Sequence, residues 1–363
     1  MSAIAAGATT ASGGRAPRGR RRSASELTRI ALLTTIFAGV LLAFLSPLAY
    51  SAILSVKTPE QVTQPNAPLL PSDPKTFEYQ GKTYPVYFVP LPDGTTKELA
   101  LVKPGRQQSD FIDPANPDAG SITWIGAYRT LDQPWQVVPH FENYAEVWKL
   151  IDFPTPLRNT IFLALISTIG TVLSCTLVAY GFARFRFPGR GLMFTLLLAT
   201  IFLPGAVTLI PTYAVFNKIG WVGTWLPLLV PAFFANAYDV FLLRQYLLTI
   251  PHDLDEAAAM DGAGSLRILR SVILPQIWPV IVAVSIFTFV YSWNDFFGPL
   301  IYLAGHPELQ PLQVALTRFN GIYYQNAAFI QVGNIMTLII PVLLFAIFQR
   351  VFVRGIVITG VEK

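Results

Sequence analysis

The sequence predicts an all-α polytopic membrane protein of six transmembrane helices, interrupted by a small β-rich extracytoplasmic insert. Three observations predict it. Of 363 residues, 53% are hydrophobic and only 13% are charged, against about 25% charged in an ordinary soluble domain. Six apolar stretches reach the roughly 20 residues that a bilayer core requires. Between the first and the second lies a block of quite different composition: residues 57–157 hold 12 of the 21 acidic residues, 8 of the 26 basic ones and 15 of the 29 prolines. The block is net −4 and the remainder net +9. These numbers exclude a disordered chain and argue against a soluble enzyme. No alternating ten-residue pattern supports a membrane β-barrel.

Residues 1–28, rich in Ala, Gly, Ser and Arg, read as a disordered basic cytoplasmic tail near anionic lipid. The first span, 30–53 within the segment 29–56, is apolar for about 25 residues, too long for the core of a cleaved signal peptide. In the insert, strand-like runs at 76–79, 83–89 and 97–102 are separated by Gln80-Gly81-Lys82 and Pro92-Asp93-Gly94, which are turn signals. Residues 104–120 read as loop. Over 141–150, Phe141, Tyr144, Ala145 and Trp148 recur at helical spacing, which predicts a short interfacial helix with those four on one face. The segment 158–363 holds the other five spans, at 159–183, 192–216, 221–243, 275–303 and 330–353. Pro47, Pro204, Pro211, Pro227, Pro231, Pro279, Pro299 and Pro341 fall within spans. Each removes a backbone donor, which lipid tolerates only where a neighbouring helix or a wet cavity satisfies the freed carbonyl.

Arginine and lysine set the orientation. With the N-terminus inside, the inner segments hold Arg15, Arg18, Arg20, Arg21, Arg22 and Arg29, then Arg184, Arg186 and Arg190, then Arg244, Arg267 and Arg270, and finally Arg350, Arg354 and Lys363. The two short outer loops hold only Lys218 and Arg318. Both termini are therefore predicted cytoplasmic and residues 57–157 extracytoplasmic. The overall charge of +5 flanks apolar segments and does not signal nucleic acid.

The most informative polar stretch is the inner loop 251–275 between spans four and five. Asp253 is placed to N-cap a helix, with Glu256 three residues on as in a capping box, and acids at that end suit the helix dipole. Ala257, Ala258 and Ala259 leave a smooth surface. Asp261 belongs to the same loop, and Gly262 after it can take the left-handed conformation that stops a helix. A second short helix with Arg267 and Arg270 then leads back to the membrane at Leu274-Pro275. Small side chains on such a helix–turn–helix let a partner's cleft close around it.

Glu256-Ala257-Ala258, Gly262 and Leu274-Pro275 resemble the EAA loop of permease subunits of binding-protein-dependent ABC importers. Val272 stands where that family has Ile. Ala179-Tyr180-Gly181-Phe182-Ala183-Arg184-Phe185, Phe187-Pro188-Gly189, Leu203-Pro204-Gly205 and Ser292-Trp293-Asn294-Asp295 are similar to segments of carbohydrate importers, nearest the smaller permease of maltose-type systems. The resemblance covers 29–56 loosely and 141–363 closely; the insert departs from it. It implies the type I importer permease fold in the cell (inner) membrane and a path for a sugar or oligosaccharide. It also implies a second homologous permease, a pair of ATPase subunits and an extracellular binding protein. The chain itself would carry no cofactor, ATP and magnesium being held by the ATPase. An importer of a polyol or glycerol-phosphate-type solute fits the same matches. A membrane-anchored receptor or enzyme centred on 57–157 is the alternative of another class.

The chain offers little chemistry of its own. Gly81-Lys82-Thr83 ends like a phosphate-binding loop, but Thr76 stands where its first Gly belongs. The single Cys175 excludes an intrachain disulfide and reads as packed and inert. His140, His252 and His306 fall on different sides of the membrane and form no metal site. Polar residues within spans are the functional candidates, because lipid penalises them. They are Asn236 in span four, and Tyr291, Trp293, Asn294 and Asp295 in the outer half of span five; Gln331 and Asn334 are weaker ones. Aromatic faces with amide or carboxylate groups suit a sugar path, and interhelical polar contacts explain them equally well. Asp239 is expected to pair with Arg244 on the same helix.

Overall fold

The computed structural model describes residues 24–64, 66–321 and 326–357. The chain divides into two compact units, one ending at Tyr50 and the other beginning at Ser51. Helix α1 (Ala24–Ser55) supplies all of the first unit that is described, residues 24–50, and its last turn belongs to the second. Most of the expected tail lies outside the described residues, but 24–28 already belong to the helix. Leu32, Phe37, Leu42 and Phe44 are exposed along α1, the surface a helix presents to lipid.

Five helices are long and apolar enough to cross a membrane: Thr28–Ser55, Pro154–Arg184, Leu226–Leu247, Ser265–Trp293 and Ala327–Gln349. The pair Arg190–Phe202 and Val207–Lys218, bent by 101°, makes a sixth when read as one span. The third span is thus broken, not the continuous helix expected over 192–216. The break falls at Leu203-Pro204, where both residues are extended, because a proline disfavours helical torsions in the residue before it.

In the second unit, α2 (Pro59–Thr63) leads into the insert. β2 (Thr76–Tyr79), β3 (Lys82–Pro90), β4 (Thr96–Lys103), β5 (Gln108–Ile112) and β6 (Ile122–Ile125) form an antiparallel meander, while β1 (Ser72–Pro74) pairs with β7 (Trp135–Val137). The first three strands of the meander stand within two residues of expectation. The expected loop at 104–120 instead contains β5, whose Phe111 is fully buried with Val89 and Leu99. Polar Gln108, Ser109 and Asp110 mask the strand in the sequence.

Helix α3 (Glu142–Leu150) follows the insert. Of the expected apolar face, Phe141, Ala145 and Trp148 are exposed and Tyr144 is half-buried, while the face turned to the protein is Asn143 and Val147. The reason is a polar anchor: the Asn143 amide donates to the carbonyls of Ser55 and Lys57, both at 2.9 Å. The Ser55 and Tyr144 hydroxyls lie 2.9 Å apart, and the backbone N–H of His140 donates to Val56 O.

His140 adds a side-chain link, with Nε2 2.9 Å from Asp73 Oδ1 and Nδ1 against Glu142. Burial alone would lower its pKa, but the hydrogen bonds to Glu142 and Asp73 outweigh that and hold it above the ordinary imidazole value. A raised folded pKa means the contribution to stability is full below the unfolded value near 6.5 and is lost as pH rises through the folded one. Thermal unfolding of the full chain, followed by tryptophan fluorescence across that window, should show the insert loosening as pH rises. Asp73→Asn should flatten the dependence; an unchanged profile in that variant would contradict the account.

The membrane core runs through α4 (Pro154–Arg184), α5 (Arg190–Ala199), α6 (Gly205–Lys218), α7 (Leu226–Leu229) and α8 (Ala237–Leu247). It continues with α9 (Asp253–Met260), α10 (Ser265–Ile268), α11 (Leu274–Trp293), α12 (Phe297–Tyr302), α13 (Leu312–Ala315) and α14 (Ala327–Val357). Span four, expected over 221–243, begins at Leu226, reaches Leu247 and is interrupted by a 3-10 turn over 230–233. Pro227 and Pro231 account for the interruption, since neither can donate to a helical ladder. Span five, expected to run to 303, ends at Trp293. Asn294 and Asp295 break it, and Asp295 Oδ1 accepts from the Gly298 N–H at 3.3 Å to start α12. One apolar cluster joins α4, α8 and α11 through Cys175, Ala179, Val240, Leu243, Leu247, Ile273 and Ile277. A second gathers Val147, Phe289, Trp293, Leu316 and Phe329.

Candidate functional site: a polar cavity and a surface loop joined by one helix

The loop helix α9 begins with three acids in its first turn, Asp253, Asp255 and Glu256, which the helix dipole favours. The cap differs from expectation. His252 is itself helical and no side chain caps the helix; the N–H groups of Asp255 and Glu256 donate to His252 O. Asp253 is therefore a first-turn residue. The other end matches the expected stop. Gly262 sits at φ +81°, its N–H donates to Ala259 O and the Ala263 N–H to Ala258 O, each at 3.0 Å. Those two bonds are the Schellman motif, satisfying carbonyls that a helix end leaves free.

Glu256, Ala257 and Asp261 are exposed and Ala258 half-buried. Met260 and Leu266, not singled out from the sequence, are 84% and 73% exposed, an apolar surface beside the acids. The chain then passes through α10 and one π-helical stretch, Leu269–Ile273, before Leu274 and Pro275 open α11. Pro275 follows directly on the π-helical stretch within the continuous run Ser265–Trp293, and its missing donor falls where the helical ladder changes register.

Span two grips this loop. Arg184, only 4% exposed in its side chain, lies with Nε 2.9 Å from Asp255 Oδ2 and donates from Nη2 to Ile250 O at 3.1 Å. One turn earlier on α4, the Tyr180 hydroxyl donates to Ser265 O at 3.2 Å. Arg184 Nε meets Asp255 at an angle too bent for a hydrogen bond. Nη1 and Asp255 Oδ1 have no partner among the described residues. A buried pair left incomplete adds little stability, so its effect is to fix the position of the loop. The sequence carries a signal for the contact only as unpaired charge: an arginine ending one span and an acid in the following loop.

Midway along α4 a cavity of about 620 Å³ opens between α4, α8, α11 and the broken segment 226–233. Asn236, Tyr291 and Asp295 line it, as do Asp239, Ser167, Thr171 and Ser292. Asn236 is the N-cap of α8: its Oδ1 accepts from the Asp239 N–H at 2.9 Å, and its Nδ2 donates to Asp239 Oδ2 at 2.7 Å. An Asn followed three residues later by an acid is a readable start signal, so Asn236 could have been placed from sequence.

Asp239 does not pair with Arg244. A residue five positions on lies about 140° around a helix. Arg244 instead reaches Phe182 O at 3.4 Å and stacks 4.3 Å from the Phe194 ring centroid. Trp293 and Asn294 do not face the cavity. Trp293 is 1% exposed and donates to Thr337 O on α14 at 3.2 Å, while the Asn294 amide turns back to Val290 O. Among the weaker candidates, Gln331 and Asn334 lie on α14, away from the cavity lining. No group of three His, Cys, Asp or Glu side chains among the described residues could hold a metal.

Residues 156–358 match the family described as binding-protein-dependent transport system inner membrane component. An osmoprotective-compound uptake permease of Synechocystis is 32% identical over 255 residues, 70% of this chain and 85% of the relative. An arabinooligosaccharide transport permease of Halalkalibacterium halodurans is 30% identical over 204 residues, 56% of this chain and 72% of the relative. The structure of a bacterial ABC transporter that imports the acidic polysaccharide alginate superposes with a TM-score of 0.62 at 19% identity, over 92% of this chain and 99% of that one. At that identity the likeness establishes the fold, which is that of the importer permeases.

Proposed function

The chain belongs to the inner membrane components of binding-protein-dependent transport systems, and from that premise we propose that it forms half of the path by which an ATP-driven importer moves a sugar or oligosaccharide. It is a permease subunit of an ABC importer. A second, homologous permease supplies the other half, an extracellular binding protein delivers the solute, and a pair of ATPase subunits holds ATP and magnesium. The solute path on this chain is the cavity at Asn236, Tyr291 and Asp295. The ATPase grips the loop at Asp253, Glu256, Ala257, Ala258, Asp261 and Gly262, with Met260 and Leu266 as its apolar contacts and Leu274-Pro275 as the re-entry to the membrane. Both termini and this loop lie in the cytoplasm, and the insert 57–157 lies outside, where it docks the binding protein.

The observation that carries the reading is that α4 serves both sites. Ser167 and Thr171 line the cavity, and Tyr180 and Arg184 hold the loop. Thirteen residues separate Thr171 from Arg184, which at 1.5 Å per residue is about 20 Å of rigid helix. Movement of the loop when the ATPase closes therefore moves the wall of the cavity. The ATPase binds one state of the permease better and so shifts the population toward it.

The test is reconstitution in proteoliposomes of the chain with its second permease, ATPase and binding protein. ATP-dependent accumulation of a labelled arabino- or malto-oligosaccharide is expected, and only with all components present. Accumulation without the ATPase, or none for any oligosaccharide that the binding protein captures, would overturn it.

A further inference from the structure

We propose that the cavity of this chain passes uncharged, hydroxyl-rich solutes and excludes anions, with Asp239 and Asp295 setting that selectivity. The inference rests on the reading of the cavity as the solute path and names the class of solute that path accepts.

The charges on the cavity wall are all of one sign. Asp239 and Asp295 both line it, and no lysine, arginine or histidine does. The nearest cation along α8, Arg244, is turned to Phe182 O and the Phe194 ring. Neither carboxylate is neutralised by an ion pair among the described residues: Asp239 takes the Asn236 amide on Oδ2 and Asp295 takes the Gly298 N–H on Oδ1. Both partners are neutral donors, so they orient the carboxylates and do not offset the charge a carboxylate carries. Apolar walls at Leu228, Ala232 and Phe287 weaken screening and lengthen the reach of that charge.

The remaining polar lining is neutral and two-sided. Ser167, Thr171, Thr288 and Ser292 contribute hydroxyls that donate or accept, and Tyr291, 80% exposed, offers an aromatic face. Sugar hydroxyls can donate to the two carboxylates and accept from these hydroxyls. A phosphate or carboxylate in the same space finds no cation and meets two like charges. The alginate importer, whose fold this chain shares, handles an acidic polysaccharide; the lining of this chain is unsuited to one.

The local potential can be read without knowing the solute. Cys175 is the only cysteine of the chain and is fully buried. A Tyr291→Cys variant in a Cys175→Ala background therefore places one thiol at the cavity mouth. Its reaction rates in the assembled importer are compared for a cationic and an anionic methanethiosulfonate of similar size, each normalised to a free small thiol. The anionic reagent is expected to react at least about tenfold slower than the cationic one. Asp239→Asn and Asp295→Asn should each recover several-fold of that difference. A ratio equal to that of the free thiol, or one unmoved by both substitutions, overturns the proposal. So does ATP-dependent uptake of trigalacturonate by the native importer at the rate of a neutral trisaccharide.

The path reading fails separately. Blocking the same thiol with a bulky neutral maleimide should stop uptake. If uptake continues while the charge preference holds, the cavity is anion-excluding but is not the path.

Discussion

Arg184→Ala is expected to abolish solute uptake, by about a hundredfold or more, while the chain still reaches the membrane. The substitution leaves Asp255 partly buried opposite an empty space, and removing one partner of a buried ion pair typically destabilises by about 3–5 kcal/mol. It also frees Ile250 O, so the loop loses two of the three bonds that tie it to α4. Spread over the six-span core that loss is survivable, whereas concentrated on one short helix it undocks the loop. ATPase activity in the assembled importer should become independent of the loaded binding protein. Arg184→Lys keeps the charge but not the planar fork that reaches a carboxylate and a carbonyl together, and should fall between. The paired change Arg184→Met with Asp255→Leu is the discriminating variant. An apolar pair of similar volume often restores stability, so protein level should recover while uptake stays low. Full recovery of uptake would show that the ion pair had no part in carrying the movement.

Gly262→Pro is expected to have an effect of similar size by a different route. Proline fixes φ near −65°, and the native value is +81°. It also deletes the N–H that donates to Ala259 O. The turn cannot form, and α10 can no longer fold back from the end of α9. Gly262→Ala separates the two causes. No atom lies within 4 Å of a Cβ built there, so alanine meets only the left-handed torsion, about 1–2 kcal/mol, and should keep most of the uptake. A bulky residue at Ala258, half-buried and under the Ala263 N–H, should behave like the proline. Normal uptake, with the ATPase still co-purifying, in both Gly262→Pro and Ala258→Trp would remove the loop from the coupling mechanism.

Much of this was legible before any coordinates, for physical reasons that differ by region. Spans are read from apolar length, and length survives a kink; that is why all six were found although the third is bent and the fourth interrupted. The positions of the breaks follow from proline chemistry, but a list of prolines does not say which will break a span. Pro279 and Pro341 stay inside continuous helices, whereas Pro204 ends one. The turn at Gly262 was readable because one residue type is nearly required there. The inward face of α3 is not legible in the sequence because its decisive residue is polar: Asn143 is drawn inward by two carbonyls 86 and 88 residues away, and no local pattern reports such partners. Asp239 and Arg244 were misjudged because proximity in sequence was taken for proximity on the helix surface. Of the five polar candidates for the path, Asn236, Tyr291 and Asp295 reached the cavity. Trp293 and Asn294, between the latter two in sequence, turn elsewhere, to Thr337 O and Val290 O, partners that sequence order does not report.

The meeting of Ser55, Lys57 and Asn143 bears on how such a chain can change over time. Because the two ends of the insert are clasped together, everything between them is a cassette hung on one closed loop. Its length adds only a logarithmic closure term, and the entry of α3 stays set by the clasp whatever the cassette contains. Trimming the insert down to a short bridge from Lys57 to His140 should therefore leave the membrane core in register, and a foreign domain with neighbouring ends could be seated in its place. The insert can in this way be exchanged without redesign of the machinery inside the bilayer.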